Sequence, residues 1–235
     1  MAFTAVLFDM DGVIVDTQEA VNVFWENLAA QHNIELTESD YADHIHGCLA
    51  NHTLETVFSF LSDEQCKQVL QDMIDYETDF TYQSIPGVLD FIASLVRYGI
   101  PIALVTAGAR WKVDTVAGQL GLETAFGVQI TFESIREGKP NPECYLLAAE
   151  ALGQPPETCI VFEDSVAGMQ SGISAGAYGV GVRPANTAAA LIEVGAKTVI
   201  PDFTAVRIEQ NGDVLNLRLD GDTSIAIQSP VQPAS

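Results

Sequence analysis

The sequence predicts an α/β protein, a doubly wound parallel sheet with a small all-helical domain inserted after its first strand. Three observations lead there. Short apolar runs alternate with segments of helical periodicity, the pattern of a parallel sheet covered on both faces. The runs end in polar or small-residue turns, at the strand ends where open α/β sheets hold their ligands. Between Thr17 and about Ser84 the alternation stops, because no strand-like run occurs and helix starts recur.

Taken in order, strands are expected at Ala2–Phe8, Pro101–Thr106, Gln129–Phe132, Thr158–Phe162, Gly179–Val182 and near Val199. The inserted region should hold helices at Gln18–His32, Thr37–Ile45, Asn51–Phe60 and Asp63–Phe80. Thr37 with Asp40, and Ser62 with Gln65, stand at or near the spacing of a capping box. Residues 1–16 and 85–205 are therefore assigned to the core domain and 17–84 to the helical insertion. Residues 206–235 form an extension. Its Asn211-Gly212 pair centres a hairpin that sets Ile208 against Leu215 and Val206 against Leu217, a structural edge for the core. Beyond Ser229 the composition is that of a loose tail.

Four clusters carry chemistry. The first strand ends in Asp9-Met10-Asp11-Gly12, delivering two carboxylates to a tight turn. Carboxylates so close repel one another and lose solvation, and are tolerated when something positive sits between them. The run Ile102–Val105 ends in Thr106-Ala107-Gly108, a hydroxyl followed by small residues that leave backbone N–H groups open to an anion. In Gly138-Lys139-Pro140-Asn141-Pro142 two prolines hold a lysine just ahead of a helix beginning near Glu143, a point charge suited to a phosphoryl group. The strand Thr158–Phe162 ends in Glu163-Asp164-Ser165, a second carboxylate pair, before a helical stretch from Val166 to Ala175. Two acidic strand ends supply enough oxygen ligands for Mg²⁺.

In this order and at these separations the four clusters resemble the haloacid dehalogenase superfamily, in particular the branch of β-phosphoglucomutase and small phosphosugar phosphatases. The resemblance runs from about Thr4 to Pro201. It implies that Asp9 is the nucleophile that becomes an aspartyl phosphate. Asp11 would be the general acid and later the base, and Thr106 and Lys139 would hold the phosphoryl oxygens. Mg²⁺ would be bound by Asp9, Asp164 and the backbone carbonyl of Asp11, with Glu163 supporting its shell. The insertion would be a mobile cap hinged near Asp16–Gln18 and Ser84–Gly87. Gly12, Ala107, Gly108, Arg110, Asn141 and, from the cap, His46 are the candidate substrate-binding residues.

Two departures separate this chain from the mutase pattern. Ala50 stands where the mutase's cap loop has an arginine, within His46-Gly47-Cys48-Leu49-Ala50-Asn51, and Val21 stands where it has a histidine. Lys67 is the sole lysine or arginine before Arg97. The cap thus has little to grip a second phosphate, which favours a monophosphate with a neutral far end and hydrolysis over isomerisation. The Asp at position 11 argues against a dehalogenase or phosphonate hydrolase. Retention of both nucleophile and acid argues against a non-catalytic binding protein. Of the other three histidines, His32, His44 and His52, the first two read as surface or packing residues, Trp25 reads as packing between cap helices, and Asp72, Asp75, Glu77 and Asp79 as a solvated acidic face.

Composition sets the outer limits. The 235 residues, 48% hydrophobic, can bury a large core. Ten basic against 32 acidic side chains give a formal charge of −22, which argues against nucleic acid and anionic membranes as partners. A small phosphorylated metabolite is the expected partner, and the expected assembly is a monomer or weak dimer. The four cysteines show neither metal-binding nor disulfide-framework spacing, pointing to reduced thiols and the cytoplasm. No apolar run reaches the length of a membrane span.

Overall fold

The computed structural model describes residues 2–78, 80–212, 214–221 and 223–229. Six strands, β1 (Ala5–Phe8), β2 (Ile102–Val105), β3 (Val128–Ile130), β4 (Cys159–Glu163), β5 (Tyr178–Val182) and β6 (Thr198–Ile200), form one parallel sheet in the order β3-β2-β1-β4-β5-β6. Alternation along the central strands divides their side chains between two apolar layers. Val6, Phe8, Ile102, Leu104, Ile160 and Phe162 face one, and Ala5, Leu7, Ala103, Val105, Cys159 and Val161 the other. Phe8 pairs with Leu104 on β2 and with Phe162 on β4. That register brings Asp9, Thr106 and the Glu163-Asp164 pair out along one edge of the sheet, which is how three of the four separate sequence clusters come together.

After β1 the chain leaves the sheet for α1 (Gln18–Gln31), α2 (Glu38–Asp40), α3 (Ala50–Thr56) and α4 (Asp63–Thr78). These helices have their own apolar cluster, in which Trp25 stacks on Phe58 at 5.7 Å. The Thr37–Asp40 capping box forms, with Asp40 N donating to Thr37 Oγ1 at 3.2 Å and Thr37 N to Asp40 Oδ2 at 2.8 Å. The Ser62–Gln65 box forms likewise. The expected helix Thr37–Ile45 does not run through: α2 passes into a π-helical turn at Tyr41–Ile45, closed by His46 N donating to Tyr41 O. α3 ends short of Phe60, freeing Phe58 to turn into the cluster.

The core helices follow: α5 (Val88–Arg97), α6 (Arg110–Leu120), α7 (Glu143–Ala151), α8 (Val166–Ser174) and α9 (Ala189–Glu193). α5 and α6 cover one layer through Phe91, Ile92, Leu95, Val113 and Val116, and α7 covers the other through Cys144, Tyr145, Ala148 and Ala149. All four cysteines are free thiols, Cys144 and Cys159 buried and Cys48 and Cys66 half-buried. Among the described residues no helix is long and apolar enough to cross a membrane.

Three expectations change. β1 begins at Ala5 instead of Ala2, because Phe3 pairs with Ile227 and donates its N–H to Ala226 O. β3 stops at Ile130: Thr131 caps a single 3₁₀ turn at Phe132–Ser134, taking those residues out of the strand. The C-terminal hairpin, β7 (Arg207–Asn211) with β8 (Val214–Arg218), pairs Ile208 with Leu217 and Asn211 with Val214, two residues away from the expected register. A shift of two keeps every side chain on its face. A third strand, β9 (Ser224–Ile227), not anticipated from the sequence, completes an antiparallel sheet whose Leu217, Leu219, Ile225 and Ile227 join the main core. The expected tail beyond Ser229 lies outside the described residues.

Candidate active site

Asp9 is the first residue beyond β1 and is buried, its N–H donating to Phe162 O of β4. Its Oδ1 accepts from Lys139 Nζ at 2.5 Å, and the same ammonium lies 2.6 Å from Glu163 Oε1. Lys139 is buried against the ring of Tyr145, whose hydroxyl also donates to Glu163 Oε1 at 2.8 Å. The other Glu163 oxygen accepts from the backbone N–H groups of Asp164 and Ser165 and from Ser165 Oγ. Glu163 is fully buried with both oxygens occupied, so its part is to fix Lys139 and the turn that carries Asp164. Among the described residues none donates a hydrogen bond to the Asp164 carboxylate. It lies against Gly12, where a Cβ would collide with it, and Gly12 itself takes a left-handed φ of 75°. Both demands select glycine.

One oxygen each from Asp9, Glu163 and Asp164 lies within 4.8 Å of the others. Burial pushes the Asp9 carboxyl well above its ordinary range; Lys139 opposes this, and the neighbouring carboxylates add to it. Asp164 is pushed up to about 7, by burial first and then by Glu163, against the pull of Arg183 and Lys139. Lys139 moves the other way in charge: burial works against its ammonium, but attraction to Asp9 and Glu163 wins and raises it well above the usual lysine value. The two shifts reconcile if Lys139 stays charged while the carboxylates around it hold more negative charge than one lysine neutralises. An all-oxygen donor set with surplus negative charge suits a hard divalent cation.

Thr106, buried at the end of β2, accepts from Gly108 N–H at 2.9 Å through its Oγ1. A cavity of about 350 Å³ opens over this floor, lined there by Asp9, Asp11, Gly12, Thr106, Ala107, Gly108 and Asp164. Its opposite wall comes from the helical insert: Val21, Phe24, Trp25, Leu70, Met73 and Ile74, with His46, Ala50 and Asn51. His46 bonds Asn22 Oδ1 at 2.8 Å. Burial, helped by Arg183, lowers it to about 4, so the ring is neutral.

Two expected substrate residues are placed elsewhere. The Arg110 guanidinium turns away to Gln129 on β3, and the Arg110 backbone N–H donates to Glu133 Oε1. Asn141 accepts from Glu143 N–H at 2.9 Å, which makes it a turn-holding residue at the start of α7. Neither lines the cavity. Glu77, expected on a solvated face, instead lines the cavity and pairs with Lys112 at 2.8 Å. Asp72 and Asp75 are exposed as expected; Asp79 lies outside the described residues. Lys112, only 6% exposed, went unnoticed in the sequence.

A model of haloacid dehalogenase-like hydrolases matches residues 3–176. The chain belongs to that family. It is 32% identical over 211 residues to hexitol phosphatase A of Escherichia coli, covering 89% of this chain and 96% of the relative. It is 30% identical to 2-deoxyglucose-6-phosphate phosphatase 2 of Saccharomyces cerevisiae, covering 88% and 91%. Among solved structures, a putative β-phosphoglucomutase from Bacteroides vulgatus superposes with a TM-score of 0.74 at 24% identity, over 86% of this chain and 84% of that one, a likeness of fold. The haloacid dehalogenase-like hydrolase core is thus the six-stranded sheet, and the candidate site lies at its strand ends.

Proposed function

We propose that this hydrolase is a Mg²⁺-dependent phosphomonoesterase acting on a small phosphorylated sugar or sugar alcohol through an aspartyl phosphate, with the helices of residues 17–84 as its cap. The observation that carries the reading is the buried Asp9, held by Lys139 at the cavity floor beside the Asp164 carboxylate, which receives no hydrogen bond among the described residues. The sugar and sugar-alcohol phosphatases among the relatives support the substrate class.

Asp9 and Asp164 would hold Mg²⁺, which when bound supplies charge neutralisation for an encounter between a carboxylate and a phosphate dianion. Asp9 attacks phosphorus, the ester bond breaks, and Asp11 gives its proton to the departing oxygen. Asp11 then takes a proton from water, whose oxygen attacks the phosphorus of the aspartyl phosphate, releasing phosphate and restoring Asp9. Lys139 holds the Asp9 oxygen in place and offsets the charge of the transferring group. Thr106 offers its hydroxyl to a phosphoryl oxygen. Neither Lys67 nor any other lysine or arginine of the insert lines the cavity, and Val21 and Ala50, at the two positions where the mutase pattern differs, both do. On the insert side, among the described residues, a second phosphate has no lysine or arginine to meet it.

The test is a panel of phosphorylated sugars, polyols and glycolytic acids incubated with Mg²⁺ or with excess chelator, measuring free phosphate and isomerised product together. Phosphate release should exceed isomerisation for every substrate turned over and should vanish with chelation. Faster conversion of an aldose 1-phosphate to its 6-phosphate, helped by a trace of bisphosphate, would overturn the phosphatase reading. Undiminished rates in chelator would overturn the metal.

A further inference from the structure

Lys112 occupies the first turn of α6 and reaches three parts of the molecule. Its ammonium lies 2.9 Å from Asp11 Oδ1 in the loop after β1 and 2.8 Å from Glu77 Oε1 in the last turn of α4. Its stem passes over the Thr106-Ala107-Gly108 turn, close enough that a Cβ on Gly108 would stand 3.4 Å from Lys112 Cδ. A buried lysine loses hydration that only well-placed anions replace. Here two anions do so, one from the core and one from the helical insert.

The effect on Asp11 is specific to one oxygen. Oδ1 is ion-paired with Lys112 Nζ and accepts a hydrogen bond from Thr17 Oγ1 at 2.6 Å. Among the described residues no donor meets Oδ2. A carboxyl whose Oδ1 is held by an ion pair and a hydroxyl donor presents Oδ2 in one orientation, as a group that must hand a proton to a leaving oxygen requires. The second anion ties that orientation to the insert, since Glu77 moves with α4. Beside the cluster, the Tyr82 hydroxyl is buried without a hydrogen-bond partner among the described residues. A buried polar group left so is costly, which marks the junction as built around its charges rather than around its packing.

We propose that Lys112 is a positioning residue that clamps Asp11 Oδ1 and, through Glu77, makes the working orientation of Asp11 depend on the placement of the cap. The proposal rests on the phosphomonoesterase reading, in which Asp11 protonates the leaving oxygen.

The test compares two leaving groups, a sugar-alcohol monophosphate, whose alkoxide needs a proton, and p-nitrophenyl phosphate, whose phenolate needs little help. Asp11→Asn should lose about 10²–10⁴-fold in kcat on the first and far less on the second, the span of general acid–base catalysis. Lys112→Met should repeat that selectivity at about 10–100-fold, with KM changed less than threefold, because misplacement of a catalytic group costs rate of that order. Lys112→Arg should recover part of the loss. In the Asp11→Asn background, Lys112→Met should cost under about threefold more, as expected for residues acting as a unit. Should Lys112→Met fail to fold, Glu77→Gln and Lys112→Arg carry the comparison, each with a smaller loss confined to the sugar-alcohol ester. Equal losses on both substrates, a raised KM on both, or full multiplication with Asp11→Asn would overturn the proposal. Absence of leaving-group selectivity in Asp11→Asn itself would instead overturn the role assigned to Asp11.

Discussion

The core side of the cavity presents Asp9, Asp11, Thr106 and Asp164, whereas the insert side presents mainly Val21, Phe24, Trp25, Leu70, Met73 and Ile74. On the first side Asp9 Oδ1, Asp11 Oδ1 and Thr106 Oγ1 each meet a named partner, and burial raises the cost of leaving charge unpaired. On the second, shape and apolar area do the selecting. On the phosphomonoesterase proposal the floor carries the reaction and the facing wall selects the substrate, so changes on the two sides should fail in different ways.

The largest effect belongs to the floor. Asp9→Asn keeps the volume and removes the attacking oxygen, so turnover of every phosphomonoester should fall by about 10⁴-fold or more, as removal of a nucleophile does. Circular dichroism should show the fold retained. Rates near wild type in that variant would end the covalent mechanism and the contrast with it.

Next comes the opposite wall. Ala50→Arg puts a cation where none of the insert's residues supplies one, and a charge-assisted contact of about 1.5–3 kcal/mol should tighten inhibition by a sugar bisphosphate roughly ten- to a hundredfold. The kcat for the monophosphate should stay within a factor of about three, since no interaction special to the transition state has changed. A collapse of monophosphate kcat would show that the wall takes part in chemistry as well as selection.

A smaller effect is expected from His46. Its folded value is about 4 against an ordinary 6.5, so the unfolded chain takes up a proton first as pH falls. The folded state therefore loses stability as pH drops from about 6.5 to about 4. His46→Gln should shrink the fall in Tm between pH 7 and pH 5, read by thermal denaturation. An unchanged pH dependence would show that His46 is not buried in its neutral form.

The same division decided what the sequence could reveal. The floor residues follow apolar runs that end in short, contiguous motifs, so their shared position at the strand ends follows from strand polarity alone. Lys112 gives no such sign, because its partners Asp11 and Glu77 come from other segments and a lysine in the first turn of an amphipathic helix reads as solvated. Glu77 was hidden in an acidic helix face beside Asp72 and Asp75, whose spacing says nothing of which carboxylate turns inward. Arg110 and Asn141 neighbour true floor residues in sequence, yet strand and helix geometry points them to Gln129 and to the start of α7. The hairpin register slipped because Asn-Gly marks a reversal without fixing which pair closes it, while alternation preserved the faces.

Lys139 and Lys112 are 5% and 6% exposed, each masked by two carboxylates, on a chain of net charge −22. A phosphate dianion approaching from solvent therefore meets a repulsive long-range field and finds attraction only after entering the cavity. Added salt shortens the Debye length from about 30 Å at 0.01 M to about 8 Å at 0.15 M, which screens that outer repulsion while reaching the buried pairs far less. With Mg²⁺ saturating, kcat/KM should accordingly rise by about two- to fivefold over that range of monovalent salt, the reverse of the fall seen when association is electrostatically steered. A flat or falling profile would mean that the local field at the cavity mouth opposes the net charge. With the rising profile, ionic strength acts as a throttle on encounter, set by acidic residues that never touch the substrate.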